Sequence, residues 1–92
     1  MLNYRKEDLL FSDYDWTNSE DHVKFTGEPD RTFFLRNEGN DVLYIINYVC
    51  AVMKYSLKEN AIKLEILIHE KLPLEVKSQK SVFNWIQQNY IP

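Results

Sequence analysis

Cysteine is almost absent from this chain of 92 residues: Cys50 is the only one. An internal disulfide is thereby excluded, and so are zinc sites built on several thiolates. Glycine is nearly as scarce. Gly27 and Gly39 stand far apart, so the clustered glycines of phosphate-cradling loops are missing. Histidine occurs only as His22 and His69, neither in a local motif with Cys50, and a thiol nucleophile needs a base within hydrogen-bond reach. Long apolar runs are lacking too. The longest, residues 42–53, covers 12 positions and contains Asn47, whereas a membrane span needs roughly 20. Where an export signal would be apolar, the chain carries Arg5, Lys6, Glu7 and Asp8. These features lead us to expect a cytoplasmic protein with no membrane partner.

An excess of basic residues is also missing. The net charge is −3, the wrong sign for a protein held to nucleic acid mainly by phosphate contacts. The acidity is local: residues 1–31 hold eight acids and four bases, and the remainder carries +1. Asp13, Tyr14, Asp15, Trp16 and Thr17 open like a calcium-binding loop. However, Asn18 stands where that loop needs Gly, and Lys24 where it needs Glu, so a solvated turn is expected. No catalytic, metal or cofactor site is expected anywhere in the chain.

What is present points to one helical domain. The hydrophobic fraction of 45% is too high for disorder, and aromatics reach 14%. Residues 3–11 suit a short first helix, with Asn3 as its cap. Residues 12–40 are loop-rich, acidic and aromatic. Within them, residues 22–26 and 32–36 flank the turn formers Gly27 and Pro29, which fits a small β-hairpin over 22–36 or, equally, an ordered loop. Residues 41–90 form the helical core. A helix capped by Asn40 or Asp41 runs to about Tyr55 and is apolar nearly all round, the profile of a central helix. Ser56 and Glu59 fit a capping box that opens a helix ending before Pro73. On that helix Leu57, Ala61, Leu64, Ile68 and Leu72 share one face. A strand period also runs through residues 62–68, but the cap and the length favour helix. Ser78 caps a last helix to about Tyr90, with Val82, Phe83, Trp85, Ile86 and Tyr90 on one face. The expected fold is therefore mainly α: a small bundle of three main helices plus a short N-terminal helix, in a single domain over 1–92.

Two features bear on function. The first is a stripe on the central helix, where Tyr44, Tyr48, Ala51 and Tyr55 follow steps of four, three and four. Tyrosine buries area yet keeps a hydroxyl that needs a polar partner, which suits both core and interface. On the next helix Ile62 and Ile66 form a second apolar patch that needs a partner of its own. Tyr44, Tyr48, Tyr55, Ile62 and Ile66 are the candidate interface of a non-enzymatic protein-interaction module that self-associates as a homodimer or small oligomer.

The second feature lies near the C-terminus. Ser78, Ser81, Val82, Trp85 and Ile86 fall in the pattern S-x-x-[ST]-V-x-x-W-[IL], which resembles the recognition half of helix-turn-helix DNA-binding proteins. The resemblance implies a DNA-binding accessory protein in which Gln79, Lys80 and Asn84 point outward, Gln and Asn toward adenine and Lys toward guanine or phosphate. It covers about a dozen residues. Leu72 and Val76 stand where that family has a small residue and a Gly, and Pro73 falls where its first helix should continue.

Overall fold

The computed structural model describes residues 3–16 and 27–92. Three helices form the body: α1 (Gly39–Met53), α2 (Leu57–Lys71) and α3 (Gln79–Asn89). Among the described residues there is no strand. There are two isolated bridges, Asp15 with Glu38 and Phe33 with Ser78. The mainly helical bundle is thus as expected, and residues 60–69 are helical. No described helix is long and apolar enough to cross a membrane.

α1 is the element that α2, α3 and the N-terminal segment all touch. Most of its apolar surface is used for that purpose, while Val52 and Met53 at its end stay exposed. Val42, Ile45, Ile46 and Val49 are buried, and they meet Ala61, Leu64, Ile68 and Leu72 of α2 and Val82 and Ile86 of α3 in one core. The helix starts two residues before Asp41. Its first backbone N–H groups find acceptors outside it, as Gly39 N–H donates to Asp15 O at 2.9 Å. This satisfies a donor that the first turn leaves open. α1 ends where Lys54 takes the left-handed conformation, with φ 58°, and Tyr55 N–H returns to Cys50 O at 2.9 Å. That reversal turns the chain straight into α2.

α2 begins at the expected place, but not through the expected box. Ser56 makes no side-chain cap. Its carbonyl instead accepts from both Asn60 N–H and Asn60 Nδ2, each at 2.9 Å. α3 does open on a reciprocal cap: Ser81 N–H donates to Ser78 Oγ, and Ser78 N–H to Ser81 Oγ, each at 3.1 Å.

The N-terminal helix expected over 3–11 is only a single 3-10 turn, Lys6–Asp8. Its flanks explain why. Tyr4 N–H donates to Asn47 Oδ1 at 2.7 Å and Tyr4 O accepts from Asn47 Nδ2 at 2.9 Å. Leu10 and Phe11 N–H both donate to Glu65. Backbone groups that a helix would pair internally are taken by side chains of α1 and α2. The first run of the suggested hairpin, residues 22–26, lies outside the described residues. The second pairs with the chain before α3: Phe34 N–H donates to Lys77 O at 2.7 Å and Gln79 N–H to Thr32 O at 2.9 Å.

Candidate interaction surface

One heavily bonded side chain is a carboxylate in the interior of the domain. Glu65, on α2, is 0% exposed. Its two oxygens accept four hydrogen bonds, from Tyr4 OH (2.7 Å), Leu10 N–H (2.8 Å), Phe11 N–H (3.0 Å) and Tyr14 OH (2.8 Å). A buried charge is tolerated only with such partners. Burial first, and then the bond to Glu65, pushes both tyrosine hydroxyls well above their ordinary ionisation. Glu65 therefore straps the N-terminal segment across α2. The sequence carried a hint of it: Glu65, four residues after Ala61, falls at the edge of the apolar face, next to Leu72.

A second tie lies one helical turn further on. The His69 ring stacks on Phe11, with centroids 3.7 Å apart and planes 7° apart. Its Nε2 lies 3.0 Å from Asp13 Oδ2, and this bond holds the Asp13 carboxyl below the usual range. Asp13, Tyr14, Arg36, Asn37 and His69 line a cavity of about 220 Å³. The Tyr14 hydroxyl is spent on Glu65, so these lining residues offer no free nucleophile to the His69 and Asp13 pair. A larger cavity of about 520 Å³ lies at the turn between α1 and α2, lined by Cys50 and Tyr55 among others. Burial pushes the Cys50 thiol up to about 11, away from the thiolate that nucleophilic chemistry needs.

The tyrosine stripe is largely engaged within the domain. Tyr44 and Tyr48 stack at 6.1 Å, Tyr48 meets Phe83 of α3 edge-on at 5.4 Å, and Tyr55 packs on Tyr90 at 5.6 Å. Tyr44 is buried and its hydroxyl donates to Gly27 O at 2.8 Å. Tyr90 OH bonds Asn60 Oδ1. Tyr48 and Tyr55 thus face α3 and the residue that ends it, while Tyr44 reaches the chain at Gly27. Tyr48 and Tyr55 remain half-buried.

Ile62 and Ile66 behave differently. They lie on the outer face of α2 and are 43% and 40% exposed, while the opposite face is sealed in the core. The strap brings Leu10, also exposed, to the flank of the same helix through its bond to Glu65.

On α3, Lys80 and Asn84 are exposed but Gln79 is 2% exposed. The expectation that Gln79 faces outward is corrected: the chain at 30–32 folds over this end of the helix. Lys80 N–H donates to Asp30 O at 2.8 Å, and Gln79 Oε1 accepts from Asp30 N–H at 3.4 Å. In helix-turn-helix readers the N-terminal residues of the recognition helix touch the bases; here that end is covered. In addition, residues 72–78 separate α2 from α3, longer than the three or four residues of that motif's turn.

No protein family matches the chain, and no curated protein or solved structure matches it either.

Proposed function

We propose that this chain is a non-enzymatic protein-interaction module that associates with itself, and that it acts in the cytoplasm, where a lone buried thiol such as Cys50 stays reduced. One observation carries the reading. Ile62 and Ile66 present two β-branched apolar side chains to solvent from the middle of a helix whose other face is fully buried. Paired apolar anchors one turn apart are how a helix face engages a second helix. The interface is small, so the association is weak, with a dissociation constant in the micromolar range or above.

Sedimentation velocity across a concentration series tests this. The wild-type chain shifts from monomer to dimer as concentration rises, and Ile62→Lys with Ile66→Lys keeps the helical circular dichroism while staying monomeric. A wild-type chain that remains monomeric into the high micromolar range overturns the reading. The tyrosine stripe is a poor place for such a test, because Tyr48 packs between Tyr44 and Phe83 and its loss would damage the fold itself.

A further inference from the structure

The exposed isoleucines belong to a longer line. Lys58, Ile62, Ile66 and Glu70 are spaced by four along α2, so they form one row on its surface. All four are exposed. The row reads basic, apolar, apolar, acidic from its N-terminal to its C-terminal end. Such an order is complementary to itself when reversed.

Resting on the self-association reading above, we propose that two copies pair through α2 in antiparallel fashion, about a two-fold axis at the level of Leu64. In that register each residue faces its mirror across position 64. Ile62 meets Ile66 of the second copy, and Lys58 meets Glu70 of the second copy. Symmetry repeats each contact, giving two apolar pairs in the centre and one ion pair at each end. The parallel alternative sets Lys58 on Lys58 and Glu70 on Glu70, so like charges reject it. The charges choose orientation and the isoleucines supply attraction, a division of labour usual at helix interfaces.

The test exploits the reversed order. Lys58→Glu puts Glu against Glu at both ends of its own dimer, and Glu70→Lys puts Lys against Lys. An equimolar mixture of the two variants restores opposite charges at both ends. Sedimentation velocity at low ionic strength reads the result. Each single variant should dissociate about tenfold more readily than wild type, the sum expected from two exposed pairs turned from attraction to repulsion. The mixture, and the double variant K58E/E70K, should recover wild-type association. The differences should shrink as salt is added. If wild type dimerises but the single variants do so equally well and mixing gains nothing, the antiparallel register is overturned while self-association stands. If wild type does not dimerise at all, both fall, and a different protein covers the row.

Discussion

Glu65 shows how much one residue can organise. Four donors from three places in the N-terminal segment converge on its carboxylate. Glu65→Ala leaves those donors without an acceptor in the interior, and should cost about 3–5 kcal/mol in urea unfolding. Tyr14→Phe removes one charge-assisted bond and should cost about 1.5–3 kcal/mol. The same tyrosines make the fold sensitive to alkali. Burial raises the ionisation of Tyr4 and Tyr14 above the ordinary value of 10.0 and pushes Tyr44 up to about 12. A hydroxyl held neutral in the fold but ionising normally in the unfolded chain stabilises fully below pH 10. That contribution is lost as pH rises through the raised value. Stability measured from pH 8 to 11.5 should therefore fall steeply past pH 10, and less steeply in Tyr14→Phe. A flat profile would mean that the tyrosines ionise in place.

At the level of elements, the entry to α1 depends on one absent side chain. A Cβ on Gly39 would lie 2.3 Å from the Trp16 ring, whose face also carries Lys6 Nζ at 4.5 Å. Gly39→Ala must push that ring aside and should cost about 1–3 kcal/mol. In a Trp16→Ala background the same change should cost far less, a coupling that a double-mutant cycle would measure. Much at this scale was legible in the chain. The apolar face of α2, its end before Pro73, and the Ser78 cap of α3 all follow from local pattern, and the structure has them. That the first helix expected over 3–11 shrinks to a single 3-10 turn, and that α1 starts early, were not legible. Both depend on groups far away in sequence: Asn47 and Glu65 in one case, Asp15 O in the other. Propensity and period describe a residue's neighbours along the chain, whereas these elements are decided by partners more than 20 residues distant. Of the candidate interface, the isoleucines are exposed and the tyrosines are mostly engaged within the domain. The pattern could not separate them, since an aromatic stripe looks the same whether its partner is another helix of the chain or another molecule.

Taken whole, the domain is tightly drawn together. Its radius of gyration is 11.9 Å, against about 12 Å for a compact chain of this length. If two such bodies pair through α2, folding and association are linked, because only the folded helix presents its row of side chains. The melting temperature should then rise with protein concentration, while Ile62→Lys with Ile66→Lys should melt at one temperature throughout. Scanning calorimetry at two concentrations about a hundredfold apart would check this.

The strap also sets a timetable for synthesis. Residues 4–14 are made before the side chains that hold them, which belong to Asn47 and Glu65. At about 5–20 residues per second, the wait from Tyr14 to Glu65 is roughly 3–10 s. Through that interval Tyr4, Phe11 and Tyr14 emerge with nowhere to dock. A segment made early is thus held only by residues made later, and the nascent chain stays adhesive there until α2 has been made.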